Sequence, residues 1–420
     1  MNAFGKALVL WAVVGAACGD DALGPASQDL GPVPKDAEVV DLESSDTGLA
    51  DQEAADAGAL PDLGPPEPSF ASAPVVPRMG RPPRQLSELQ LILRGSQGQW
   101  IFNDRVVPYT LNAPLFSDFS IKDRAIYVPD GASLQYLDRG VFEFPVGSAI
   151  LKSFSFAPDL RTPDVGKRVI ETRLLIRQEE GWRAYPYLWR EDLSDADYFV
   201  RGKVQSVDFI DPEGVARSSI YLVPQRNQCL ECHVLKDDMD ETFVTIIGPS
   251  ARMLNRDGDF ATGPSNQLAQ LEALGMLTGL PPLERVDRAF DVTALAATST
   301  RTMSPIDIDR AARDYLDTNC AHCHNPRGIE GITSRLFLNY DAEDLFNLGV
   351  CKEPGSAGGA ARGRKYDIVP GDPEASIMWY RTATAEVGDM MPLIGRSIGD
   401  PVGSALVWAW IEQLDAPPCN

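Results

Sequence analysis

Two short stretches carry residues that could do chemistry. NQCLECH spans residues 227–233 and NCAHCHNP spans 319–326, and each contains Cys-x-x-Cys-His. The chain has three histidines: His233 and His324 close the motifs, and His322 lies inside the second. Two chemistries use such a pattern. A structural zinc takes four Cys or His ligands, so the pairs Cys229/Cys232 and Cys320/Cys323 could share one ion. That arrangement gives the histidine after each pair no task. Covalent haem attachment gives it one: two thiols form thioethers to the porphyrin, and the adjacent imidazole becomes the axial ligand of the iron. Repetition of the motif in one chain, using two of three histidines, favours two haem c groups, with Cys229, Cys232, Cys320 and Cys323 as attachment points and His233 and His324 as proximal ligands.

The other axial position needs a second donor. Histidine is nearly used up, because His322 sits in the tight loop of its own motif and is expected to face solvent. Methionine is the usual alternative and raises the reduction potential. For the first haem the downstream candidates are Met253, Met239 and Met276, with Met253 preferred and core packing as the competing role. A first haem without a sixth protein ligand stays open.

Covalent haem requires export, and the N-terminus reads as an export signal. Lys6 precedes a short apolar run, Ala7 to Ala17, that ends in GAAC. The run is too short to span a bilayer. Cys18 behind Ala16 and Ala17 resembles a bacterial lipoprotein processing site, although Gly15 stands where such sites prefer Leu; ordinary cleavage is the alternative. Lipidation there would anchor the protein to a membrane surface, and Gly19 after the cysteine points to the outer membrane. Residues 19–84 are acidic, rich in Pro and Ala and nearly free of aromatics. They read as a disordered tether. Of seven cysteines, Cys18 takes lipid, four take haem, and Cys351 and Cys419 are left to form a disulfide.

A net charge of −22 argues against nucleic acid and for a basic redox protein as partner. The expected fold is multidomain α+β. Residues 85–224 form a mainly-β domain, sandwich- or barrel-like, with a hairpin around Glu180–Gly181. Tyr185, Tyr187 and Trp189 alternate and share one strand face, as core or as a ligand groove. Residues 225–300 are a helical and loop segment holding the first haem. Its KDDMDE run lacks calcium-loop spacing and reads as a solvated loop, and Ser265 is placed as the N-cap of a short helix stopped at Gly275. Residues 301–420 are an all-α unit. One helix starts at Ser304, Pro305 and Asp307 and leads into the second motif. A second starts at Asp372-Pro373 and a last one at Asp400-Pro401.

GSAILKSF, VIETRLL, VPQRNQCLECH, IGPSARMLNR, YLDTNCAHCHNP, YDIVPGDPEASI and MMPLIGR together resemble a family of bacterial dihaem c-type cytochromes, from about Gln85 to the C-terminus. Some members are fused to or found beside propeller-type sugar dehydrogenases. The last unit alone is similar to class I cytochrome c. That resemblance implies two covalent haems and electron transfer. It also implies a methionine ligand from GDMMPLIG, with Met391 preferred over Met390 and with Met378 left to the core. Two rivals remain. One is a peroxidase-like dihaem enzyme with an open site, its acid–base work falling to Glu231, Asp237 or Glu241. The other is a β domain that binds carbohydrate or protein, with the haems as electrical output.

Overall fold

The computed structural model describes residues 67–328, 334–356 and 358–420. The signal, Cys18 and most of the expected tether lie outside them. The described residues belong to one compact unit. It is mixed α+β: antiparallel sheets dominate the N-terminal part and several helices the C-terminal part.

The centre is a six-stranded antiparallel sheet. Its strands are β1 (Val106–Pro108), β2 (Ile121–Tyr127), β3 (Ala149–Phe156), β4 (Arg168–Gln178), β5 (Gly181–Trp189) and β6 (Ala196–Tyr198), paired in that order. It is an open sheet flanked by two-stranded ribbons, in place of the expected sandwich or barrel. The β4–β5 hairpin turns through Glu179–Glu180, with Gln178 opposite Gly181; Gly181 adopts φ +131°, which a side chain would oppose. A ribbon of β7 (Lys203–Ile210) and β8 (Ala216–Val223) follows.

Strand alternation gives the sheet two different faces. One buries Leu151, Leu174, Ile176, Tyr185, Tyr187 and Trp189 in a common core, so the alternating aromatics are core residues, with Tyr185 also bordering the cavity described below. Folded structure begins before Gln85. Val75 N–H donates to the Leu89 carbonyl, and the Tyr185 and Tyr187 hydroxyls donate to the carbonyls of Gly80 and Pro83. Residues 75–84 therefore lie on the sheet and are not tether.

A hairpin of β9 (Val234–Lys236) and β10 (Thr242–Val244) comes directly after the first motif. Its KDDMDE tip is a tight turn, in which Asp237 Oδ1 accepts from the N–H groups of Met239 and Glu241. Then come α1 (Ala251–Leu254) and α2 (Gln267–Ala273). The cap of α2 is Asn266, whose side chain accepts from Leu268 N–H; Ser265 instead sits in a strand paired with Gly258. One residue of slip follows because both types can cap and only the register of that ribbon decides.

The C-terminal part holds α3 (Pro305–Asn319), α4 (Ile377–Ala383) and α5 (Pro401–Glu412). Ser304 caps α3 by accepting from Asp307 N–H, and Asp400 caps α5 by accepting from Gly403 N–H. The helix after Asp372-Pro373 starts later than expected, at Ile377, because Asp372 and Pro373 form a turn that Ser376 closes. Ile308, Ala311, Ala312, Tyr315 and Leu316 of α3 are buried against Leu406, Val407, Trp410 and Ile411 of α5. A disulfide joins Cys351 to Cys419 and ties the C-terminus back to this part. No helix among the described residues is long and apolar enough to cross a membrane.

Candidate functional site

The second face of the central sheet is the floor of a cavity with about 1660 Å³ of empty space, its solvent-open mouth included. The first Cys-x-x-Cys-His forms one wall: Cys229, Cys232 and His233 all line the space. Cys229 sits on a short 3-10 turn, Arg226–Glu231, that leaves β8; Cys232 is its C-cap and His233 follows. Within the motif, the N–H groups of Cys232 and His233 both bond back to the Cys229 carbonyl. Such winding puts both thiols and the ring on the same side of the chain.

His233 is fixed by its own hairpin. Its Nδ1 lies 2.9 Å from the Thr245 carbonyl, and Thr245 N–H donates to the His233 carbonyl at 2.8 Å. A carbonyl can only accept, so Nδ1 carries the proton and Nε2 keeps its lone pair. Burial lowers the ring's pKa to about 4, so it stays neutral. A neutral imidazole with one nitrogen tied down is the form that binds a metal.

Met253, on α1, lines the same cavity, with its sulfur 3.8 Å from the Thr318 hydroxyl. The other two candidates do not. Met276 is fully buried in a separate core, and Met239 is 80% exposed at the β9–β10 tip.

The second motif joins the first at this cavity. Asp317 and Thr318 from the end of α3 and His322 from the motif after it line it, as do Pro392, Ile394 and Gly395 from the MMPLIG loop. His322 therefore faces inward, contrary to expectation, and its Nδ1 is buried without a hydrogen-bond partner. One ligand atom each from Cys232, His322 and Cys323 lie within 4.8 Å of one another. A hydrogen bond between the Cys232 and Cys323 thiols raises the pKa of Cys232 and lowers that of Cys323. The segments also share backbone bonds, with Lys236 N–H donating to the Arg327 carbonyl at 2.9 Å. Motifs far apart in sequence thus meet in space.

Cys320 is more enclosed, and burial pushes its thiol up to about 12. His324 N–H bonds to the Cys320 carbonyl, repeating the winding of the first motif, and its carbonyl accepts from Leu338 N–H. In the MMPLIG loop, Met391 N–H donates to the Arg381 carbonyl, and the Arg396 guanidinium holds the Met391 carbonyl. Met390 is buried, Met378 lies in the α-helical core, and neither Met390 nor Met391 lines the first cavity.

The carboxylates proposed for acid–base work are elsewhere. Glu231 and Glu241 are exposed and Asp237 is spent on its own turn. The carboxylate at the cavity is Asp317, raised to about 6 by burial. Sequence reading also missed three basic residues on the cavity floor, Arg124, Lys152 and Arg173. A signal was available: IKDRAIY, AILKSFSF and IETRLLI each carry a cation in a strand with a strong apolar content.

Comparison with protein-family models, with characterised proteins and with solved structures finds no match.

Proposed function

We propose that this chain is a dihaem c-type cytochrome, an electron-transfer protein with two covalently held haems. The observation that supports it most is that the first Cys-x-x-Cys-His lines a mostly apolar cavity, which the second motif meets through His322 while its Cys323 lies beside Cys232. The residues there fit the group. Cys229 and Cys232 would anchor the first haem, His233 is neutral with Nδ1 already committed, and Met253 offers a soft donor in the same space. Cys320, Cys323 and His324 would hold the second, with Met391 as the proposed second ligand. When bound, haem supplies a one-electron iron couple. The polypeptide contributes burial, axial donors and fixed charge.

Contact between Cys232 and Cys323 gives the pairing a purpose, because the attachment points of the two groups abut and an electron could pass within one chain. We further propose an exported protein, anchored through Cys18 and facing a basic redox partner suited to its charge of −22.

A second reading draws on Asp317. A carboxyl with a pKa near 6, lining the cavity that holds Met253, suits proton transfer in a peroxidase-like enzyme. Zinc on Cys232, His322 and Cys323 accounts for less: the group has three side chains where a structural site takes four, and it leaves His233 and the cavity unexplained.

Intact mass and a haemochrome spectrum, on full-length protein matured in a periplasm that makes c-type cytochromes, test the reading. Two covalent haems are expected, falling to one in C229A/C232A and in C320A/C323A. Unmodified cysteines with bound zinc would overturn it. High-spin haem with peroxide turnover would favour the enzyme.

A further inference from the structure

Arg124, Lys152 and Arg173 form a row across three neighbouring strands. Arg124 is directly opposite Lys152, and Lys152 is directly opposite Arg173. Side chains so paired project to the same face with Cβ atoms about 5 Å apart, and like charges there repel. All three line the cavity.

Carboxylates do not balance the row. Glu171, fully buried on the same face, forms a two-pronged pair with Arg173 at 2.6 and 2.9 Å and also accepts from the Tyr221 hydroxyl at 2.6 Å. That leaves Arg124 and Lys152. Among the described residues neither has an ion-pair partner. Arg124 is 9% exposed and donates to the Lys122 carbonyl at 3.2 Å, while Lys152 Nζ lies 5.0 Å from the Phe154 ring. A fourth cation, Lys122, adds to the repulsion and donates to the Ser120 carbonyl. The remaining carboxylate at the cavity, Asp317, comes from α3 and accepts from Tyr340 N–H.

Two unpaired cations beside Ile150, Phe154 and Leu175 are costly unless an anion meets them. Desolvation and the neighbouring cations both press the Lys152 ammonium toward neutrality.

We infer that this row is the carboxylate-binding wall of the first cavity, with Arg124 and Lys152 holding the propionate carboxylates of the haem attached at Cys229 and Cys232. The inference rests on the haem reading of the preceding section. Haem carries two propionates, and two cavity-lining cations remain after Arg173 has been matched with Glu171. Arg124 and Lys152 are positioning residues here: they orient the group and bias its potential, since nearby positive charge favours the reduced iron.

The test uses full-length protein matured with haem, as wild type, K152M, K152R and R124Q. Intact mass comes first: wild type without haem defeats the haem reading itself and is told apart from failure of this inference. With two haems present, potentiometric titration is expected to show one midpoint lowered in K152M and in R124Q. The equilibrium constant for reduction of that haem should fall about tenfold, or about 59 mV for one electron. K152R should stay near wild type. Unchanged midpoints, or equal shifts of both haems, overturn the inference. Should K152M and R124Q fail to mature, titration of wild type with acetate and with phosphate decides. Insensitivity of the haem spectrum and both midpoints is expected, the wall being filled; a saturable change shows an open wall that takes a free anion, and overturns the assignment.

Discussion

His233 and Thr245 hold each other through two hydrogen bonds, Nδ1 to carbonyl at 2.9 Å and N–H to carbonyl at 2.8 Å. The first fixes the ring, and the second ties the Thr245 backbone to His233 and so places the residue whose carbonyl holds the ring. Thr245→Pro removes the N–H and leaves the carbonyl without its guide. Losing one such bond costs about 1 kcal/mol, equivalent to about 40 mV for one electron. The expected outcome is two haems by mass, with one midpoint displaced by that order and the other unmoved. Two unmoved midpoints would show that the hairpin has no hold on the ligand.

Met253 sits where a donor sulfur would be needed, yet it also packs in the core with Ala311, Tyr315 and Leu316. Met253→Leu separates the two roles. Volume is nearly conserved, so the fold should lose less than about 1.5 kcal/mol. A sulfur ligand raises the potential, so its loss should lower one midpoint and remove that haem's methionine–iron absorption band. If melting temperature changes and the spectrum does not, Met253 is a packing residue alone.

Asp367 gives the fold a pH dependence of its own. It is 7% exposed, and burial raises its carboxyl from 3.8 to about 6. The folded chain then binds its proton more tightly than the unfolded chain. Stability from this group is full below about pH 4 and is lost as pH rises through about 6. The shift corresponds to roughly 3 kcal/mol at most. Asp367→Asn should therefore melt at a higher temperature than wild type at pH 8, with the difference closing toward pH 4. Parallel melting curves across that range would rule out a buried, proton-hungry Asp367.

Local signals were the legible ones. Ser304 and Asp400 announce their helices because a cap acts within one turn, and Glu180–Gly181 marks a hairpin because the turn needs a permissive residue. What sequence could not place were relations set by tertiary packing. His322 was read as facing solvent from its tight loop, yet the approach of the first motif turns it inward beside Cys232. The cations Arg124, Lys152 and Arg173 are visible one by one in three strands. Their alignment depends on strand register, which alternation alone leaves undetermined. Residues 75–84 carry a tether-like composition but are held by hydroxyls and carbonyls of the sheet, partners that composition does not reveal.

Gly403 and Tyr315 mark the point where α5 crosses α3. A Cβ on Gly403 would run into the Tyr315 ring, so the helices approach as closely as they do because position 403 has no side chain. Gly403 is helical and buried, a setting in which alanine would ordinarily be the better residue by about 1 kcal/mol. Here the clash should reverse that sign. Gly403→Ala is expected to cost about 1–3 kcal/mol through overpacking, read as a lower denaturation midpoint. Tyr315→Leu in the same chain removes the ring and should recover part of the loss relative to Tyr315→Leu alone. Because α3 runs directly into Cys320, Cys323 and His324, the clash should also reach the second motif, so Gly403→Ala should shift the second haem's midpoint more than the first. A stabilised Gly403→Ala variant would mean that the helix crossing tolerates a side chain, and that the glycine has no part in holding the second motif in place.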